Sequence, residues 1–161
     1  ERLSLHRLVL EDVANLGRRA RYAPVYLVRN DDDELQQLVI PVHGYGLWST
    51  MYGYLSLRDD LNTVAGITFY EHAETPGLGG EIDNPSWQAL WVGKKVYGDD
   101  GSPELKVIKG SVNPSAPRAE HQIDGISGST LTGNGVSNLL TFWLGENGFG
   151  PFLERIRETG V

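Results

Sequence analysis

Residues Met51-Tyr52-Gly53-Tyr54-Leu55-Ser56-Leu57, the turn Arg58-Asp59-Asp60 and the run from Val64 to Glu71 decide the fold class. In the first run Met51, Leu55 and Leu57 point one way, and Tyr52, Tyr54 and Ser56 the other. In the second run Ala65, Ile67 and Phe69 share a face. Side chains alternate across a strand, so each run predicts a strand with one buried face, and the short polar turn between them predicts an antiparallel pair.

Upstream, Tyr26-Leu27-Val28 and Leu38-Val39-Ile40 flank Asn30-Asp31-Asp32-Asp33-Glu34, the pattern of a β-hairpin with an acidic turn. That turn has the oxygens for Ca²⁺ but lacks the Gly and the distal Glu of an EF-hand loop, so a solvated turn is expected. Leu5, Leu8, Val9, Val13 and Leu16 fall near helical spacing, which predicts an amphipathic helix over residues 4–20, limited by Pro24. Downstream, Glu74 to Gly80 is a loop by composition, and Asn84-Pro85 starts a short helix carrying Trp87 and Trp91. Leu105–Ile108 reads as a strand, and the proline-bearing residues 111–120 read as an irregular connection. Residues 130–144 form the strongest helix, with Val136, Leu139, Leu140 and Trp143 on one stripe and Gly145 as its stop. Pro151 opens a last short helix. Helix, strand meander, then helices predicts an α+β fold, an antiparallel sheet flanked by helices.

The chain has 161 residues, 40% of them hydrophobic and 22% charged, which suits one domain with a real core. Its formal net charge is −7 with no basic stripe, which argues against a nucleic-acid partner. Cys is absent, which excludes disulfides, iron–sulfur ligation and a Cys-linked cofactor. The histidines His6, His43, His72 and His121 are scattered, so no metal site is expected. No apolar run reaches the length of a membrane span. The 20 glycines point to tight turns or to backbone lying close to a ligand.

Most standard motifs fail. Gly125-Ile126-Ser127-Gly128-Ser129 lacks the final Gly of a nucleophile elbow. Gly77-Leu78-Gly79-Gly80-Glu81-Ile82 lacks the last Gly of a dinucleotide fingerprint, and there is no P-loop. What remains is Asp124-Gly125-Ile126-Ser127-Gly128-Ser129-Thr130-Leu131-Thr132, which places glycines and hydroxyls at the start of the strongest helix. A helix start has unsatisfied N–H groups and attracts a phosphate. The dipole contributes only about 0.3–1 kcal/mol at an exposed site, enough to orient a phosphate but not to retain a cofactor. Plain N-capping by one hydroxyl accounts for the same residues, and both readings stand at this point.

The segment Asp124 to Thr130 also resembles the flavinylation motif of FMN-binding domains, in which the final Thr carries FMN through a phosphoester made from FAD by a flavin transferase. Glu71-His72-Ala73-Glu74-Thr75-Pro76-Gly77-Leu78-Gly79-Gly80 resembles that family's second motif, and Gly44-Tyr45-Gly46-Leu47-Trp48-Ser49 the entry to its first core strands. Gly133-Asn134-Gly135-Val136 and the run Phe142 to Leu153 are similar to one subfamily, the C subunits of Na⁺-translocating NADH:quinone oxidoreductases. The likeness covers roughly residues 40–158, with Ser129 standing where Ala is usual.

The resemblance implies one FMN-binding domain over 1–161, with residues 1–39 as an N-terminal helix and hairpin and 40–161 as the family core. It implies Thr130 as the covalent attachment residue and Asp124 as a helper in maturation. Ser127, Gly128, Ser129, Leu131 and Thr132 would shape the phosphate end, while Thr75 and Leu78, with Gly77 and Gly79, would lie against the isoalloxazine. Trp48, Trp87, Trp91 and Trp143 could each stack on a flavin, core packing being the default; Trp48 and Lys109 are carried as further flavin contacts. The implied function is an electron relay, with no catalytic residue of its own, in a complex that couples NADH oxidation by quinone to Na⁺ export. Implied partners are the other subunits and the transferase. The implied location is the bacterial inner membrane, with this domain facing the periplasm and an N-terminal anchor preceding it. Alternatives are the G subunit of the related Rnf complex, a non-covalent flavin-binding or assembly module, and a hydrolase using Ser127 or Ser129.

Overall fold

The computed structural model describes residues 6–8 and 12–160. Its centre is a four-stranded antiparallel sheet in the order β3 (Tyr26–Arg29), β4 (Leu35–Tyr45), β5 (Thr50–Arg58) and β6 (Val64–Glu71). The expected hairpin is β3–β4, with Tyr26 opposite Val39, and its acidic turn closes on itself: Asn30 Oδ1 accepts the N–H groups of Asp32 and Glu34. Along β5, Met51, Leu55 and Leu57 are fully buried while Tyr52, Tyr54 and Ser56 are not, as the alternation predicts. On β6 Ile67 and Phe69 are buried, but Val64 takes the place expected of Ala65. The cause is a bulge: Leu57 pairs with Val64 and Ser56 with Gly66, so Ala65 is the extra residue, and a one-residue insertion changes the facing of everything before it.

The long helix α2 (Thr130–Leu144) covers the inner face of the sheet. Val136, Leu139, Leu140 and Trp143 pack into one core with Leu38, Ile40, Val42 and the inner side chains of β5. Two glycines allow this closeness. A Cβ on Gly44 of β4 would sit 2.7 Å from Leu139 Cβ, and one on Gly135 of α2 would sit 2.5 Å from the Tyr45 carbonyl oxygen. The short helix α1 (Pro85–Ala89) starts at Asn84, whose side chain caps Ser86 N. It delivers Trp87 and Trp91 to the core as an edge-to-face pair at 5.3 Å. A last helix, α3 (Gly150–Thr159), opens with Pro151 and anchors itself through Leu153.

The helix expected over residues 4–20 is not formed among the described residues. β1 (His6–Leu8) and β2 (Arg18–Ala20) pair antiparallel instead; residues 4, 5 and 9–11 of that expectation lie outside the described set. The turn before β2 explains the difference. The Asp12 carboxylate accepts from Leu16 N and Gly17 N, and Asn15 and Gly17 take left-handed φ values of 54° and 65°, which end any right-handed helix.

Two dipeptide strands finish the fold: β7 (Lys106–Val107) lies parallel to β8 (Gln122–Ile123). The predicted strand 105–108 is thus real but shorter, and it pairs with the segment leading to α2 rather than with the main sheet. This pairing sets residues 108–112 beside residues 123–125, where Ile108 N donates to Ile123 O and Gly125 N to Gly110 O.

Candidate functional site

Between those two segments lies an open cleft of about 480 Å³. One wall is 107–111, the other 125–130, and Gly133 and Asn134 of α2 complete it. The walls fit closely because glycine lines them. A Cβ on Gly125 would strike the Ile108 carbonyl, and Gly128 holds a left-handed φ of 72°. Lys109 and the run Ser127 to Thr130 therefore meet at one site, as do the glycines between them.

α2 begins at Thr130 with Ser129 as its N-cap residue, and no side chain caps it. Of the two sequence readings, capping by a hydroxyl is not what these residues do. Ser129 is buried, and its carbonyl accepts from Gly133 N. Ser127 and Thr130 are exposed, and both line the cleft. An uncapped first turn leaves N–H groups for water or an anion, and the positive end of the helix dipole favours the anion.

Asp124 is tied into the wall. Its Oδ1 accepts from Val112 N at 2.8 Å, and its backbone carbonyl accepts from Trp87 Nε1 at 2.9 Å. It thereby holds the 110–112 segment against the motif.

The loop from Glu74 to Gly80 approaches from the other side. A Cβ on Gly128 would lie 3.0 Å from Leu78 Cδ2, so the Glu71–Gly80 and Asp124–Thr130 segments touch at this point. The Thr75 carbonyl accepts from Leu78 N and Gly80 N, and Gly77 turns the chain with φ 74°; Thr75, Gly77 and Leu78 are exposed while Gly79 is buried. His72 fastens the start of the loop: its Nδ1 accepts from Glu74 N, and its Nε2 faces Asp83 Oδ2 at 2.6 Å.

Core packing is the default expectation for all four tryptophans. Trp87, Trp91 and Trp143 follow it, and Trp143 Nε1 donates to the His43 carbonyl. Trp48 departs from it, with 62% of its surface exposed on the turn between β4 and β5. Leu78 and Leu131 are also exposed, so a set of apolar side chains is offered to the surface by the three motif segments. Thr132 behaves differently from its neighbours: it is fully buried, and its hydroxyl donates to Glu74.

Glu74 is the residue that sequence reasoning missed. It is only 4% exposed. Its carboxylate accepts from Thr132 Oγ1 at 2.5 Å, from Trp48 N at 2.9 Å and from Leu47 N at 3.1 and 3.2 Å. Burial pushes its carboxyl up, but the bonds from Thr132, Trp48 and Leu47 together outweigh that and hold it below the usual glutamate range. The residue sits inside the Glu71–Gly80 motif, yet an acid in a Gly- and Pro-rich loop reads as solvated. Among the described residues no group of three His, Cys, Asp or Glu side chains could hold a metal ion.

The residues present fit a flavin phosphate and ring. The uncapped helix start and exposed Thr130 suit the phosphate end, the glycine-lined walls admit a ligand against backbone, and exposed Leu78, Leu131 and Trp48 suit an apolar ring.

Comparison with known proteins points the same way. The sequence pattern of the FMN-binding domain matches residues 46–145. The chain is 58% identical over 148 residues to the C subunit of the Na(+)-translocating NADH-quinone reductase of Pseudomonas aeruginosa, covering 92% of this chain and 56% of that protein. It is 53% identical to the corresponding C subunit of Vibrio parahaemolyticus, covering 94% of this chain and 56% of that one. The chain thus spans little more than half the length of these curated relatives. Among solved structures, Shewanella oneidensis NqrC superposes with a TM-score of 0.90 at 37% identity, covering 96% of this chain and 70% of that one. The C subunit of the Na(+)-translocating NADH-quinone reductase from Parabacteroides distasonis gives 0.67 at 34% identity, covering 81% and 62%.

Proposed function

Since the chain belongs to the FMN-binding domain family, in the group of the C subunits of Na⁺-translocating NADH-quinone reductase, we propose that it is an electron-relay domain carrying FMN as a phosphoester on Thr130. The observation that carries this is the exposed Thr130 at the start of an uncapped helix, lining a cleft one wall of which is the Asp124–Thr130 motif. In the attachment step Thr130 loses its hydroxyl proton, its Oγ bonds to the phosphorus of the FMN half of FAD, and AMP leaves. A flavin transferase is the partner for that step, with Asp124 assisting while it keeps the 110–112 segment in place.

Bound FMN supplies one- and two-electron redox chemistry. The residues of this chain supply position and environment. The free N–H groups of α2 receive the phosphate end, Lys109 brings positive charge to the same cleft, and Leu78 and Thr75 of the 74–80 loop, with Trp48 from the 46–49 turn, offer the surface for the ring. A covalent link matters because micromolar binding corresponds to only about −8 kcal/mol, and a cofactor held that loosely leaves wherever its free concentration is low.

In this reading the domain works within a membrane complex that oxidises NADH with quinone and exports Na⁺, beside the other subunits and on the periplasmic side of the bacterial inner membrane. No helix among the described residues is long and apolar enough to cross a membrane. The test is intact mass after co-expression with the transferase. The expected result is a yellow chain heavier by FMN minus water, and no gain for Thr130→Val. A Thr130→Val chain that still acquires the mass rejects Thr130 as the anchor.

A further inference from the structure

We propose that Glu74 is the positioning residue of the flavin cradle: a single buried carboxylate fixes the turn 46–49, the loop 74–80 and the first turn of α2 relative to one another, and so sets the direction in which Thr130 is presented. The claim about Thr130 rests on the reading of that residue as the attachment point; the claim about the clamp does not.

A carboxylate this buried survives in ionised form only when its lone pairs are used. Glu74 meets that condition with donors from two distant segments, the N–H groups of Leu47 and Trp48 and the hydroxyl of Thr132. None of the ion pairs among the described residues includes it, so its charge is balanced by directed hydrogen bonds, which carry orientation that a neighbouring ammonium would not. Backbone closes on it from two sides. A Cβ on Gly46 would lie 2.6 Å from Glu74 Oε1, and one on Gly79 would lie 2.9 Å from Glu74 Oε2. His72, held by Asp83, in turn accepts from Glu74 N and fixes where the side chain starts.

The link to Thr130 is helical geometry. Thr132 and Thr130 are two residues apart on α2, so their side chains point about 200° apart around the axis. Thr132 is buried toward Glu74 and Thr130 is exposed at the cleft. Holding the Thr132 hydroxyl sets the rotation of the helix about its axis at that turn, and with it the bearing of Thr130 and of the free N–H groups. Leu47 and Trp48 are held by the same carboxylate, so the exposed Trp48 is kept in fixed relation to that turn.

The experiment compares Glu74→Ala, Glu74→Gln and, as a matched destabilised control, Leu153→Ala, each in the 161-residue chain. Gln keeps the shape: its oxygen can accept from Leu47 and Trp48, and its amide can donate to Thr132. Amide hydrogen exchange without flavin is the first readout. Glu74→Ala is expected to speed exchange at Leu47 and Trp48 and at residues 133–136 together, about tenfold or more, while Glu74→Gln restores both and Leu153→Ala moves neither relative to the rest of the chain. Should Glu74→Ala not fold, Glu74→Asp, one methylene too short to reach both partners, is read the same way. A response confined to residues 47 and 48, or the same response in Leu153→Ala, overturns the clamp. The second readout is the initial rate of transferase-dependent mass gain, expected to fall about tenfold in Glu74→Ala and to return in Glu74→Gln; an unchanged rate in Glu74→Ala overturns the positioning role. If the wild-type chain itself gains no mass, the reading of Thr130 falls, while the exchange data still decide the clamp.

Discussion

Replacing Thr132 by Val removes one hydroxyl and almost no volume, which makes it the cleanest probe of the buried bond at the centre of the site. Thr132 is fully buried and donates to the ionised Glu74 carboxylate at 2.5 Å. A hydrogen bond to a charged group contributes about 1.5–3 kcal/mol. The Leu47 and Trp48 N–H groups still hold the carboxylate in the variant, so the expected loss is near the middle of that range, about 2 kcal/mol. For a chain of this size that corresponds to a fall of roughly 4–8 °C in Tm. The deficit also depends on pH. Glu74 is held below its reference value of 4.5 in the fold, so the stability it contributes is fully present above that value and is lost as pH falls through the lower folded one. Without the Thr132 hydroxyl the folded carboxyl moves back up, and the variant has less to lose on acidification. Urea unfolding followed by tryptophan fluorescence at pH 7 and at two or three lower values gives both quantities. A variant within about 0.5 kcal/mol of wild type at pH 7, or one whose deficit stays constant down to the acid transition, refutes the reasoning.

Three further substitutions test the scaffold. Gly44→Ala places a methyl 2.7 Å from Leu139 Cβ at the crossing of β4 and α2 and is expected to cost about 1–3 kcal/mol in urea unfolding, whereas Gly66→Ala, with nothing within 4 Å, is expected to stay within about 0.5 kcal/mol of wild type. Partial burial pushes the Asp60 carboxyl up, but the Thr63 hydroxyl, the N–H groups of Thr63 and Asn62, and Lys95 outweigh that and hold it at about 2. Its contribution is present above 3.8 and lost as pH falls toward 2, so Asp60→Asn should cost about 1 kcal/mol at pH 7, after allowance for solvent screening, with the gap to wild type closing across that window.

Local pattern carries much of the fold, and the places where it fails share a cause. Strands β5 and β6 are legible because one face of each is buried along its length, and α2 because its apolar stripe is unbroken. Ala65 reads with the wrong facing because a bulge is a property of the pairing, invisible in one strand. The N-terminal residues keep helical spacing of apolar side chains, yet Asp12 and the left-handed Asn15 and Gly17 turn the chain back on itself. In the site, Ser127 to Thr130 and Lys109 stand out from local chemistry and likeness, and they do meet at one cleft. Trp48 reads as a core residue by default because indoles are usually buried; its exposure follows from a tight turn that projects it outward. Glu74 escapes notice because the donors to its carboxylate come from segments remote in the chain.

That remoteness has a consequence for the order of events in the life of the protein. The partners of Glu74 lie 26, 27 and 58 residues away along the chain. Contacts of such long reach incur their loop-closure entropy before they return any stabilisation, so they form late. A peptide spanning the Thr130 motif alone would lack the Glu74 carboxylate, and a nascent chain lacks these bonds until the sheet and α2 have docked. On the proposed reading of Thr130, the attachment site is therefore assembled by folding rather than encoded in a segment, and the proposed clamp presents Thr130 only once the tertiary structure is complete.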